Sequence, residues 1–332
     1  MKKRIKYFIG ILIILIFLLA ALYWYFNPVN HFKADNIPVL VTPEITQEIS
    51  EIELYKKIEI MDKVQEKTEV KKEEEMDSFN VLILGIDSRE GENSRTDVIM
   101  LANVNPKKKQ LNIISIPRDT RIKVNGIGYT KINHTHLLGE IKGGNHSGTE
   151  AVFQAVSNFF QVPIHYYVKT NFEGFRHFVD TIGGIDVELS QPVTLTFSKI
   201  TLPAKEQHLD GDLALKLVRE RYSLSNGDFG RQKNQLLVLK AIARKVLAVK
   251  NIDKIPEIIR QVSEDIIDTN FTDSDIISLA LMFKGMSEEN INYIQIPGHE
   301  DYALDPLINK KLYYWFPDFE EIDKITQRFL SD

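Results

Sequence analysis

The chain begins with a short basic run, Lys2, Lys3, Arg4 and Lys6, followed by residues 7–26, which carry no charge at all. At 1.5 Å per residue a helix of that length spans about 30 Å, the thickness of a bilayer core. The basic flank assigns residues 1–6 to the cytoplasm and the rest of the chain to the outside of the cell membrane, which it crosses once. A cleaved signal peptide is the competing reading, but it has a shorter apolar stretch and a small-residue cleavage site. Here Ala20 and Ala21 run into Leu22-Tyr23-Trp24-Tyr25-Phe26, which reads as an aromatic belt. Residues 27–76 are polar, broken early by Pro28, Pro38 and Pro43 and then crowded with Glu and Lys. They read as an extracytoplasmic spacer that lifts a domain off the membrane. The stripe Ile45, Ile49, Ile52, Tyr55, Ile58 and Met61 leaves a partner-binding coiled coil open as the sharper alternative.

From residue 77 to 332 the pattern changes again. Residues 79–86 (FNVLILGI) form an unbroken apolar run, the mark of a strand covered on both faces. Residues 98–104 and 111–116 repeat it, joined by polar turns. Helical spacing follows at 149–161, a strand at 164–170, a helix at 172–181 stopped by Gly183-Gly184, and a strand at 185–189. An amphipathic helix at 209–218 precedes a long one at 229–249. Helical patterns at 252–268 and 273–286 and a strand at 291–296 complete the series. The alternation predicts an α/β fold: one three-layer α/β/α domain with a mixed central sheet, behind the N-terminal transmembrane helix.

Composition narrows the function. Over 332 residues there are 41 Lys and Arg against 46 Asp and Glu, a net charge of −5. That balance argues against a nucleic-acid partner, which demands excess positive charge. The chain has no cysteine, which excludes disulfides, thiolate metal sites and a cysteine nucleophile.

Candidate chemistry gathers at one sheet edge. The first strand ends at Asp87, the second starts just after Arg95-Thr96-Asp97, and the third returns to Pro117-Arg118-Asp119. Short connections make these strands antiparallel neighbours, so Asp87, Asp97 and Arg118 share an edge. Two carboxylates there are either a surface ion-pair cluster or an incomplete oxygen cage suited to Mg²⁺, with Mn²⁺ as the alternative. Arg219 and Arg221 reach one anion only if the chain turns extended between them. Arg231 and Gln235 share a face near the start of the long helix, where free N–H groups favour anions. Together these four either bind a phosphate or serve local carbonyls and acids. His134 and His136 lack an evident third metal ligand and read as loop residues. The aromatic cluster Tyr313-Tyr314-Trp315-Phe316 reads as core, with a sugar-stacking platform as the alternative.

The order Gly85-Ile86-Asp87, Arg95-Thr96-Asp97, Pro117-Arg118-Asp119, Arg219-x-Arg221 and Gly227-Asp228-Phe229-Gly230-Arg231-Gln232 resembles the LytR-CpsA-Psr family. Lys131-Ile132-Asn133, Val179-Asp180 with Gly183-Gly184, and Leu209-x-Gly211-x-x-Ala214-Leu215 extend the resemblance over about 79–249. It implies an extracytoplasmic phosphotransferase that moves an anionic glycopolymer, of teichoic acid or capsule type, from a polyprenyl pyrophosphate carrier to peptidoglycan. It also implies an apolar tunnel for the lipid. Carried over, Asp87 and Asp97 hold Mg²⁺, and Arg118, Arg219, Arg221, Arg231 and Gln235, with Arg121 at the margin, bind the pyrophosphate. Asp97, Arg118 and Arg219 are then the residues nearest the chemistry. Three positions depart from the family pattern. Thr96 replaces the usual Ser, Lys233-Asn234 replaces a more basic pair, and Thr135-His136 replaces a small residue and Tyr. The last two bear on acceptor or polymer choice. The family's older regulator label keeps a second class in view, a noncatalytic envelope protein that binds lipid-linked glycan or attenuates wall enzymes. Hydrolysis of the pyrophosphate is a third.

Overall fold

The computed structural model describes residues 2–44, 78–87, 95–224, 227–247, 260, 268–284 and 286–330. The first half contains α1 (Lys2–Phe26), α2 (Pro28–His31), β1 (Phe79–Asp87), β2 (Arg95–Asn105), β3 (Gln110–Ser115), β4 (Arg121–Val124), β5 (Gly128–Lys131) and α3 (His134–Phe160). Next come β6 (Tyr166–Asn171), α4 (Phe172–Thr181), β7 (Ile185–Glu188), β8 (Val193–Leu195), β9 (Ile200–Leu202), β10 (Glu206–Leu209), α5 (Gly211–Arg219) and α6 (Gly227–Leu247). The chain closes with β11 (Asp268–Thr269), α7 (Asp273–Phe283), β12 (Ile291–Gln295), β13 (Gly298–Asp305), β14 (Lys310–Pro317) and α8 (Phe319–Phe329).

Six strands form the central sheet in the order β11-β6-β1-β2-β3-β12. The pairs β1/β2 and β2/β3 are antiparallel, while β1/β6 and β3/β12 are parallel, so the sheet is mixed as the alternation predicts. The apolar runs are unbroken because both faces are covered. Leu82, Leu84, Leu101 and Ile114 pack with Val152, Val156 and Phe160 of α3 and Ile322 of α8. On the other face Phe79, Val81, Met100 and Ile113 meet Met282 of α7. A separate apolar cluster joins α4, α5 and α6 to β7–β10.

Three expectations change. The spacer does not extend over all of 27–76. Phe32 and Ile37 are buried against the sheet among Phe79, Tyr166 and Met282, because an isolated aromatic gains more from burial than from exposure beside the prolines. His31 Nε2 contacts Asp275 Oδ1 at 2.8 Å, and the Leu40 N–H donates to the Ile164 carbonyl at 2.9 Å. The domain is therefore docked directly behind α1. The rest of the spacer, with the apolar stripe from Ile45 to Met61, lies outside the described residues. The second change is at α3, which starts at His134 rather than near Thr149. The backbone is non-helical at Gly143 and Gly144, the latter at φ 84°, so α3 is two helical segments across a kink, the second of which holds the predicted 149–161. His134 and His136 are therefore helical rather than loop residues. Third, the predicted helix over 252–268 lies mostly outside the described residues, and its last residue, Asp268, opens β11. Side chains of α1 are described from Ile14 onward, and among the described residues no helix is long and apolar enough to cross a membrane.

The aromatic run near the C-terminus is divided by strand alternation. Tyr314 is fully buried, and Trp315 packs against the main core from the other side of β14. The Tyr314 hydroxyl donates to Asp305 Oδ2 at 2.6 Å, and Thr130 Oγ1 donates to the same oxygen at 2.9 Å. Burial alone would raise the Asp305 pKa, but these donors, the Leu307 N–H and the nearby His134 hold it below the usual carboxylate range. This network ties the β13–β14 hairpin to β5 and α3.

Burial also pushes His165 down to about 4, and its Nδ1 accepts the Asn80 N–H at 2.9 Å. The unfolded chain takes up a proton near pH 6.5 that the folded chain refuses. Stability is therefore expected to fall as pH drops from about 6.5 toward 4, by about 3 kcal/mol, and this contribution levels off below that. Urea unfolding of wild type and His165→Gln at pH 7 and pH 4.5 checks it. The variant should lose most of the pH-dependent difference.

Candidate active site at the β1–β2 edge

The ladder between β1 and β2 shifts by one residue at the edge. Gly85 pairs with Val98, but Ile86 pairs with Thr96, leaving Asp97 as the extra residue of a bulge. A bulge re-aims a side chain that would otherwise follow the strand's alternation. Glycine at 85 makes room, since a Cβ there would lie 3.0 Å from that of Val98. Asp97 Oδ1 accepts a hydrogen bond from Arg118 Nη1 at 2.5 Å, with both side chains about one-fifth exposed. Asp87 lies on the same edge, opposite Arg95 in the ladder.

Arg118 stands in a tight turn. The Thr120 N–H donates to the Pro117 carbonyl at 2.9 Å, and the Asn133 N–H donates to the Arg118 carbonyl at 3.2 Å. Its neighbour Asp119 accepts from Lys131 Nζ at 2.6 Å and lies 3.6 Å from Arg118 Nε. An alternating chain Asp97–Arg118–Asp119–Lys131 results. It holds the Arg118 guanidinium without fully neutralising it, because Lys131 offsets Asp119.

The other arginines arrive on α5 and α6. α5 ends at Arg219, and Glu220 caps it in extended conformation (φ −66°, ψ 128°). That is the backbone turn that two arginines separated by one residue need in order to serve one anion. Arg219 lies over the Phe172 ring at 4.2 Å, and Arg221 over Tyr222 at 4.7 Å. Asn234 Nδ2 donates to the Leu217 carbonyl at 3.5 Å and Gln235 Nε2 to that of Val218 at 3.4 Å. These bonds dock the first turns of α6 onto the last turn of α5, bringing Arg231 and Gln235, both buried, to the Arg219 end. Gln232 lines one small cleft with Pro117 and Asp119, so the Arg118 turn meets α6 next to Arg231. Arg121 is engaged differently. Its guanidinium lies over Tyr129 at 4.0 Å and Phe316 at 5.1 Å, on the hairpin side.

A model of the LytR_cpsA_psr family matches residues 45–330. The chain belongs to that family. It is 32% identical over 263 residues to the polyisoprenyl-teichoic acid–peptidoglycan teichoic acid transferase TagU of Bacillus cereus, covering 79% of this chain and 81% of that protein. Against TagU of Bacillus subtilis the identity is 34% over 252 residues, 76% of each chain. The crystal structure of B. subtilis TagV superposes with a TM-score of 0.64 at 31% identity, covering 76% of this chain and 97% of that one. A structure of TagT bound to LIIa-WTA superposes with a TM-score of 0.61 at 25% identity, covering 76% of this chain and 90% of that one.

Within this LytR_cpsA_psr chain, sequence reasoning passed over two supports of the site. One is the Asp119–Lys131 pair, whose only signal was its presence in short motifs. The other is Glu220. Its carboxylate accepts the Thr196 N–H at 2.6 Å, Thr196 Oγ1 at 2.9 Å, the Tyr222 N–H at 2.8 Å and the Ser223 N–H at 3.0 Å. Burial would raise its pKa, but those donors together hold it below the usual carboxylate range. Glu220 is thus the clamp that keeps the Arg219–Arg221 turn in shape.

Proposed function

We propose that this chain is a membrane-anchored phosphotransferase that moves an anionic glycopolymer from a polyprenyl pyrophosphate carrier to peptidoglycan. The observation that carries the reading is that the Arg118 turn, with Arg118 bound to Asp97, shares a cleft with Gln232 of α6, whose first turns are hydrogen-bonded to the last turn of α5 that ends at Arg219. Simple glycan binding does not call for so many clustered cations, whereas a pyrophosphate does. The names of the TagU relatives agree with this chemistry.

In the reaction an acceptor sugar hydroxyl attacks the phosphorus that bears the polymer. A new P–O bond forms, the bond to the bridging oxygen breaks, and polyprenyl monophosphate leaves with that bond's electrons. Negative charge builds on the phosphoryl oxygens, where Arg118, Arg219, Arg221 and Arg231 stabilise it without reorganising. Gln235 completes the cradle through its amide. Asp97 orients Arg118 and the incoming hydroxyl, whose proton passes to its carboxylate or to water. Asp87 and Asp97 offer two carboxylates at one edge, a donor set that fits Mg²⁺, with Mn²⁺ as the alternative. When bound, the ion neutralises phosphoryl charge. A cavity of about 250 Å³ opens beside α6, lined by Leu189, Val193, Leu224 and Leu237 together with Glu188, Gln191, Lys233 and Asn234.

The anchor in this reading is the charge-free stretch 7–26. From Ile14 to Tyr25, α1 presents an almost continuous exposed apolar surface, Phe17 at 73% and Tyr23 at 72% exposure. Such a surface calls for lipid rather than water. Lys2, Lys3, Arg4 and Lys6 support a cytoplasmic N-terminus and a domain outside.

Asp97→Asn keeps the size of the side chain and removes its charge. It is expected to lower transfer by about a hundredfold, and chelation by EDTA to abolish transfer until Mg²⁺ is restored. Both are read as label moving from a carrier-linked saccharide to peptidoglycan fragments. Full activity of Asp97→Asn would remove its charge from the mechanism.

A further inference from the structure

One exposed aromatic pair is unused by the chemistry above. Phe197, at the tip of the β8–β9 hairpin, is 86% exposed, and Tyr222 is 61% exposed. Their ring centroids lie 5.8 Å apart at an interplanar angle of 85°. A single exposed ring is ordinary, but here two rings meet edge to face beside Arg221. Nor is the pair loose. The Glu220 carboxylate holds the N–H and hydroxyl of Thr196, the residue before Phe197, and the N–H of Tyr222. The clamp that shapes the arginine turn therefore also holds the backbone beside both rings. Arg221 closes the arrangement from the other side, its Nη2 donating to the Tyr222 hydroxyl at 2.7 Å.

We propose that Phe197 and Tyr222 form a stacking platform for the saccharide attached to the carrier pyrophosphate. The inference rests on the reading that Arg219, Arg221 and Arg231 hold that pyrophosphate. The group next to the pyrophosphate on the donor is a sugar, and the side chain next to Arg221 is an aromatic ring. A sugar offers an apolar C–H face to a ring and hydroxyls to the surroundings. The hairpin supplies both, with exposed hydroxyls of Thr194 and Thr201 paired at 3.0 Å across its two strands. The exposed Lys199 on the same turn argues against insertion of Phe197 into lipid. Two rings at right angles present a corner, which selects a sugar by its ring face as well as its substituents.

The test uses the full chain in nanodiscs and two probes, polyprenyl pyrophosphate carrying a disaccharide and bare polyprenyl pyrophosphate. Phe197→Ala is expected to weaken binding of the first by roughly five- to tenfold and leave the second unchanged. Phe197→Trp should restore the preference. The melting temperature should not move, because the ring is exposed. Equal weakening of both probes would assign the ring to the lipid or the membrane surface and overturn the platform, as would no change in either. Arg221→Ala serves as the separate control. It should weaken both probes, and if it weakens neither, the pyrophosphate assignment fails while the ratio of the two probes for Phe197→Ala still decides the platform.

Discussion

Replacing Arg118 by alanine is expected to lower polymer transfer by about a hundred- to a thousandfold, the loss seen when one preorganised donor to a developing anion is removed. The change acts on turnover rather than on carrier binding, since three other arginines remain for the ground-state pyrophosphate. It also strips Asp97 of the guanidinium hydrogen-bonded to it at 2.5 Å, so the carboxylate of the bulge would face the phosphates uncompensated. Arg118→Lys should recover little. A lysine carries the charge but cannot donate to Asp97 and to phosphate in one planar fork. Initial rates at several carrier concentrations check both variants. A higher KM with normal kcat would make Arg118 a binding residue only.

The second large effect belongs to a residue that need not touch substrate. Glu220→Ala removes one acceptor and orphans four donors, from Thr196, Tyr222 and Ser223. It is expected to destabilise the fold by about 2–4 kcal/mol and to misdirect Arg219 and Arg221 together. Glu220→Gln keeps part of the acceptor set and should keep much of the stability. A purely structural role predicts that transfer recovers in step with stability. A positioning role predicts that Glu220→Gln, though folded, still shows a raised KM for carrier, because the arginine turn needs the charged clamp. Thermal unfolding and KM measured on the same samples separate the two.

The sequence carries the skeleton of the site and little of its mechanics. Asp97 and Arg118 could be assigned to one edge because short connections constrain strand order. The bulge that makes Asp97 the extra residue was not legible, since it arises from the pairing of two strands and the space left at Gly85. The need for an extended residue between Arg219 and Arg221 was legible from helix geometry alone. The reason the chain stays extended there was not, because the donors that hold Glu220 come partly from Thr196, 24 residues away. That the rings of Tyr129 and Phe316 lie against the Arg121 guanidinium was not legible either, since the two come from different hairpins. Phe32 stands alone among polar residues and Ile37 opens only the short run Ile37-Pro38-Val39-Leu40-Val41, so nothing local announces that they complete the core. The first segment of α3, from His134, was hidden because the non-helical Gly143-Gly144 separates it from the predicted stretch.

In the proposed reaction phosphorus, not the sugar carbon, is the centre attacked. The most direct measurement is the mass of the linkage formed when the full chain, Mg²⁺, a carrier-linked saccharide and peptidoglycan fragments are combined. The account predicts one phosphate between polymer and acceptor sugar, with one polyprenyl monophosphate released for each attachment. A linkage without phosphorus and release of polyprenyl pyrophosphate would contradict it. So would release of monophosphate with no attachment, or tight carrier binding with no product at all.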